Sequence, residues 1–227
     1  MILTPADVTT YAPELDLSQY NTTTISGMLR QAQARAEQFC SVKGFELANE
    51  SQEELRALIS NTGELTVFTR RRPIRSVSAI TLRKGGFSTN MVLTQGSTQL
   101  YQIPYPYYSV VFPNSYFYMT GTYLAGGSSQ LITLKGANVF ADITYSAGYD
   151  TTQPDDSDTG VPSDLKYAIM LYFRDILAKR NNPAGLQSFS QGSYSESYGS
   201  NKEGKSRLIL EAEDTLMNGD YVRIELF

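Results

Sequence analysis

The chain has 227 residues, 41% of them apolar, a formal net charge of −4 at pH 7, one cysteine and no histidine. That length suits one domain, or one domain with an excursion, and the acidic balance argues against a general nucleic-acid binder, which carries a broad basic excess. Without histidine, and with Cys40 as the single thiol, an internal disulfide is excluded and a zinc, copper or haem site is not expected; the expectation is a protein without cofactors that is not an enzyme.

Cys40 follows Phe39 at an expected helix end and reads as a small buried apolar residue. The N-terminus lacks a basic region followed by an apolar run, and no stretch reaches the roughly 18 apolar residues of a membrane helix. A soluble protein made in a cytoplasm, with no membrane contact, is expected.

In chain order, residues 1–22 are punctuated by Pro5, Asp7, Pro13, Asp16 and Asn21 and read as extended or turn-like. One of Thr22, Thr23 and Thr24 can cap a helix reaching about Cys40, whose stripe is Ile25, Met28, Leu29, Ala32, Ala36 and Phe39. Gly44 breaks the pattern. A weaker helical segment is expected over residues 50–59, closed by the turn Asn61-Thr62-Gly63.

From Glu64 the composition becomes β-like, with Leu65, Val67, Ile74, Val77, Ile80 and Leu82 among Thr, Ser and Arg. Further strands are expected at 91–94, 107–112, 116–119, 131–134 and 139–145. A run of strands between helical ends is an α+β order.

Charge is unevenly spread. No acidic residue occurs between Leu65 and Ala141, and no charged one from Gly85 to Leu134, yet that stretch holds Tyr105, Tyr107, Tyr108, Tyr116, Phe117 and Tyr118. Exposed sheet edges normally carry protective charges, and buried interfaces are aromatic-rich and charge-poor. These six are candidate subunit-interface residues; the alternatives are a β-domain filling its own core and a carbohydrate platform, the latter weakened by the absence of Trp. Arg70, Arg71 and Arg72 are candidates for a DNA channel or for inter-subunit ion pairs, although adjacent strand residues cannot all face one way.

Asp155, Asp156 and Asp158 superficially resemble a calcium loop, but Lys166 stands where the closing bidentate Glu belongs, so a solvated loop is expected. A core helix then runs from about Pro162 to Arg180 on a stripe of Leu165, Ala168, Ile169, Tyr172, Phe173 and Ile176. Leu171 and Leu177 widen it, and Asn182-Pro183 ends it. Residues 186–205, rich in Ser, Gly and Tyr, read as a flexible linker. A helix follows at 206–217, with Leu208, Ile209, Ala212 and Leu216 suitably spaced, and then a short alternating strand from Tyr221 to Phe227.

Several pieces, taken together and in order, resemble the head–tail connector (adaptor, or head-completion) proteins of long-tailed phages. They are Leu3-Thr4-Pro5-Ala6-Asp7-Val8, Ala32-Gln33-Ala34-Arg35-Ala36-Glu37, Pro73-Ile74-Arg75-Ser76-Val77, Ile143-Thr144-Tyr145-Ser146-Ala147-Gly148-Tyr149, Val161-Pro162-Ser163-Asp164-Leu165-Lys166 and Gly192-Ser193-Tyr194-Ser195. The resemblance implies a non-catalytic virion protein at the head–tail interface, made in the host bacterial cytoplasm. It implies a ring of this chain, usually twelve-fold, beneath the portal protein, extending the channel through which double-stranded DNA passes non-specifically and presenting a surface to a stopper or tail-completion protein. The implied fold is a small α-helical bundle with a large inserted antiparallel β region and a C-terminal docking arm. On this sequence that gives 1–63 as the N-terminal helical part, 64–149 as the β insertion, longer than in minimal members, 150–185 as the completing core helix and 186–227 as linker and arm. Leu208, Ile209, Leu216, Tyr221 and Phe227 are the candidate portal-docking residues. The competing readings are another virion component, such as a stopper or baseplate protein, and a carboxylate-based hydrolase with an aromatic substrate platform.

Overall fold

The computed structural model describes residues 1–59, 64–84, 87–90, 93–95, 97–104, 108–113, 120–121, 130–131, 139–181, 188–191, 194–197 and 205–222. The chain is α+β and divides into two compact units, a helical one (Met1–Glu46 with Tyr149–Phe227) and a β unit (Leu47–Gly148) inserted into it.

The helical unit is built around α3 (Ser163–Asn181), in which twelve of nineteen residues are buried. Burial on nearly every side requires partners all round, and α1 (Pro5–Tyr11), α2 (Thr22–Phe39) and α4 (Arg207–Asn218) each pack on it. Residues 5–11 were expected to be extended; they form α1 because Thr4 and Asp7 make a reciprocal capping box and Pro5 opens the first turn. At seven residues the helix is too short to show a period. Asn21, not one of the threonines, caps α2, accepting the Thr24 N–H at 2.8 Å. The helix ends at Cys40, buried, with Ser41 at φ 53°. Asp156, seven residues upstream, caps α3 by accepting the Ser163 N–H at 2.7 Å.

Residues 188–191 and 194–197, expected within a flexible linker, form the antiparallel pair β11 and β12. They read Ser-Phe-Ser-Gln and Tyr-Ser-Glu-Ser, alternating runs on either side of Gly192-Ser193, and alternation of this kind suits a hairpin.

In the β unit, six strands form one antiparallel sheet: β1 (Ala48–Ile59), β2 (Leu65–Phe68), β3 (Ile74–Lys84), β4 (Phe87–Asn90), β7 (Ser109–Phe112) and β10 (Val139–Ala147). Their order is β4-β3-β10-β1-β2-β7. Two short ladders, β5 (Thr94–Gln95) with β6 (Thr98–Gln99) and β8 (Thr120–Gly121) with β9 (Gln130–Leu131), are the remaining strands of this unit among the described residues. The strand expected at 116–119 lies outside the described residues, as do residues 132–134 of the one expected at 131–134, whose first residue, Leu131, belongs to β9.

The helix expected over 50–59 is instead β1, paired along most of its length with β10 and at its end with β2. Glu, Gln, Leu, Arg and Ala are good helix formers, but two flanking ladders override that preference. The register slips between Gln52 and Leu55, where Glu54 sits at φ 56°. This bulge resets the pleat. Glu50 and Gln52 point inward before it, and Leu55 and Ala57 inward after it, so the residues paired with Tyr145, Ile143, Ala141 and Val139 all stay on the inner face. Asp142 Oδ1 accepts the Glu54 N–H at 3.0 Å and the same carboxylate pairs with Arg83, holding the bulge from β10. Alternation is clean in β10, where Val139, Ala141, Ile143, Tyr145 and Ala147 are buried.

Candidate interaction surfaces

Between β2 and β3 the chain must cross β1 and β10, three strand spacings or about 14 Å. Six Cα–Cα steps reach at most about 20 Å, so residues 69–73 are long enough to make this crossing. The three arginines lie in this crossing, not in a strand. Thr69 N–H donates to Tyr108 O (3.0 Å), Arg70 N–H to Gln52 Oε1 (3.2 Å) and Arg71 N–H to the Tyr145 hydroxyl (3.1 Å). Gly148 N–H donates to Pro73 O at 2.8 Å. Burial, the main cause, raises the Tyr145 phenol above its ordinary range.

The arginine side chains separate. Arg71 Nε pairs with Glu50 at 3.0 Å, largely shielded from water. Arg72 is buried, its guanidinium 5.7 Å from the centre of the Tyr108 ring. Arg70 alone is exposed. Two of the three are thus engaged inside their own β unit, and no cluster of three faces solvent. Tyr108 stacks on Phe68 at 6.0 Å within the same unit. Tyr105, Tyr107, Tyr116, Phe117 and Tyr118 lie outside the described residues.

In the helical unit, Leu208 and Leu216 are buried against the common core, Tyr221 is buried with them, and Ile209 is half-buried. Phe227 lies outside the described residues. Helix α4 is therefore a member of the bundle rather than a detached arm. Both of its ends are tied to α3: Ser206 Oγ donates to Asp175 at 2.8 Å and the Tyr221 hydroxyl to Asp164 at 2.6 Å. Burial, then the Asp164 bond, raises the Tyr221 phenol far above its ordinary value.

The acidic loop is occupied by local structure. Asp155 pairs with Lys166 at 2.8 Å and accepts the Tyr11 hydroxyl at 3.0 Å, while Asp156 caps α3. Among the described residues no three metal-ligating side chains converge, and no helix is long and apolar enough to cross a membrane.

Two solvent-facing patches were not anticipated from the sequence. On the outer face of the β unit, Phe140 is 41% exposed and Leu58 42%, with Arg56 and Arg83 directly opposite Phe140 on the two neighbouring strands. On the helical unit, Tyr167 is 41% exposed and donates to Glu211 at 2.6 Å, and α4 turns Asp214 and a 52% exposed Met217 to water. The parity of the β10 alternation would have revealed the first, since it sends Phe140 outward if Val139 and Ala141 are inside.

No family model matches the chain, and no curated protein does. Among solved structures it is similar to a chain of the "neck of empty GTA particle computed with C6 symmetry", at 12% identity and a TM-score of 0.46, over 100% of this chain and 95% of that one.

Proposed function

We propose that this chain is a structural virion protein: a head–tail connector adaptor that forms a ring beneath the portal, extends the DNA channel and offers a surface to the stopper or tail. The carrying observation is the architecture. A helical unit, with four helices among its described residues, is interrupted after Glu46 by a β unit and resumed at Tyr149, which is the arrangement implied by the ordered sequence pieces that resemble the adaptors. Those pieces supply the assignment to that family; the inserted sheet is consistent with it.

In this reading the chemistry is that of surfaces. A ring needs two different contact surfaces on each subunit. Engagement of Arg71 and Arg72 inside the β unit leaves only Arg70 of the three for a channel wall, which suits a duplex that must slide without being held by its phosphates. Because Leu208, Leu216 and Tyr221 belong to the core, portal docking falls to the residues that follow, ending in Phe227.

The test is mass measurement and electron microscopy of the purified chain with and without a candidate portal. Ring-shaped assemblies on the portal are expected. A chain that stays monomeric and never joins the portal removes the reading. Truncation after Val222 is expected to leave the fold intact and abolish attachment; unchanged attachment removes the docking role of the terminal residues.

A further inference from the structure

We propose that the Phe140 face of the β unit docks on the Tyr167–Met217 face of the helical unit in a second copy of this chain. The inference rests on the ring reading above and names the surfaces by which its subunits join.

Three observations carry it. The first is exposure. Of the five large apolar side chains most open to water among the described residues, four fall in these two patches: Leu58 and Phe140 in one, Tyr167 and Met217 in the other. The outer face of an antiparallel sheet is normally polar, and on β10 and the strands beside it this one carries Asn49, Ser51, Ser76, Ser78, Thr144 and Ser146. Phe140 stands among them as a large apolar side chain open to water. Leu58 lies one diagonal position from it, within reach on the same face.

The second is charge. The β unit carries eight Lys and Arg against five Asp and Glu, a net of +3; the helical unit carries eleven against eighteen, a net of −7. Each apolar patch bears the sign of its unit. Arg56 and Arg83 flank Phe140, and Glu211 and Asp214 accompany Tyr167 and Met217. Complementary potentials of this kind orient partners and reject wrong pairings.

The third is what remains unpaired. Arg83 already holds Asp142, and Glu211 already accepts Tyr167. Arg56 and Asp214 are exposed and form no ion pair among the described residues. They are the opposite charges each patch has left to offer.

These features also choose the symmetry. Two copies of the Phe140 face brought together would juxtapose their two Arg56 side chains, which have no ion pair among the described residues, and two copies of the α4 face would likewise juxtapose Asp214 with Asp214. A heterologous contact between unlike patches avoids both and propagates head to tail, closing into a ring when the rotation allows.

The experiment is sedimentation velocity on the full chain at about 0.05 M and about 0.5 M salt, where exposed charges are weakly and strongly screened respectively, with thermal melts as folding controls. Phe140→Ser and Met217→Ser are each expected to weaken self-association at least about tenfold while retaining the wild-type melt. Arg56→Glu and Asp214→Arg are each expected to weaken it mainly at low salt, and the double variant to recover most of the loss. Wild-type assembly by Phe140→Ser, or a double variant no better than the worse single one, overturns the proposal. A wild-type chain that remains monomeric alone and with a portal overturns the ring reading along with it. Rings that survive Phe140→Ser overturn the docking surface alone.

Discussion

Ser206 Oγ donates to Asp175 Oδ1 at 2.8 Å, joining the cap of α4 to a carboxylate with no exposed surface in the middle of α3. The other oxygen, Oδ2, takes Arg35 from α2 at 3.1 Å and Lys179 at 2.8 Å. Ser206 Oγ also accepts the Ile209 N–H at 3.4 Å, so one hydroxyl both caps its own helix and anchors it. Three helices thus meet at one buried anion, whose desolvation is offset by three donors.

Asp175→Ala should accordingly destabilise the helical unit by about 3 kcal/mol, because it removes three charge-assisted bonds and leaves Arg35 without its buried partner. Ser206→Ala should cost about 1–2 kcal/mol, combining a lost cap with a lost tertiary bond. Since both remove the same contact, the double variant should fall short of the sum. Urea unfolding of the four chains checks this; strict additivity would mean that the serine and the aspartate act independently.

The far end of α4 depends on a glycine for reasons of space. A Cβ on Gly219 would lie 2.2 Å from the Tyr221 ring and 2.9 Å from an Asp164 oxygen. Gly219→Ala should therefore displace the ring, break the Tyr221–Asp164 bond and cost about 1–3 kcal/mol. Tyr221→Phe keeps the ring, which packs edge-on to Phe45 at 6.5 Å, and should cost about 1–1.5 kcal/mol. A glycine variant milder than the phenylalanine variant contradicts the steric account.

At the β1 bulge, Glu54 holds φ 56° with a side chain that disfavours it. Glu54→Gly should be neutral or stabilising by up to about 1 kcal/mol, unlike glycine elsewhere in a strand. Asp142→Ala removes the acceptor of the Glu54 N–H together with the Arg83 pair, and should cost about 1.5–3 kcal/mol. Thermal melts decide, and a clearly destabilised Glu54→Gly would show that the Glu54 side chain, not its backbone, supports the bulge.

The elements that were legible in the sequence are those whose periodicity is not in competition with anything else. In α2 and α3 one stripe follows the helical repeat, and in β10 every second residue is apolar. Strand β1 was hidden because Gln52-Glu53-Glu54-Leu55-Arg56-Ala57-Leu58 combines helix formers with a bulge that breaks alternation; its pairing partner lies some ninety residues away. Helix α1 was hidden by its length. The position of α4 was misread because Ser- and Gly-rich residues precede it, and composition suggests a tether whether or not the following helix docks at home. Asp175 and Ser206 are 31 residues apart, and neither has a local pattern that marks it as half of a pair. Arg70 to Arg72 read as adjacent strand residues whose side chains alternate; they lie instead in the crossing over β1 and β10, which distributes them between solvent, Glu50 and the Tyr108 ring.

With sixteen tyrosines and no tryptophan, phenolate absorbance gives a direct view of the pH limits of the fold. Burial, aided by the Asp155 bond, pushes Tyr11 up to about 12, and burial carries Tyr172 and Tyr221 higher still. A phenol whose pKa is raised on folding favours the native state fully below its unfolded value, near 10, and that contribution disappears as pH climbs through the folded value. Alkaline titration should therefore show an early group of exposed tyrosines near pH 10 and a late group that ionises at about pH 12 or above, together with loss of helical circular dichroism. Tyr11→Phe should remove absorbance from the late group. On the acid side the sign reverses: the Ser163 bonds hold Asp156 below its ordinary 3.8, so its capping of α3 persists above that pH and fails as pH falls beneath it. Asp156→Asn should flatten the acid limb of the melting profile and leave the alkaline limb unchanged. A single tyrosine transition near pH 10, with the circular dichroism intact, would show that Tyr11, Tyr172 and Tyr221 are open to water.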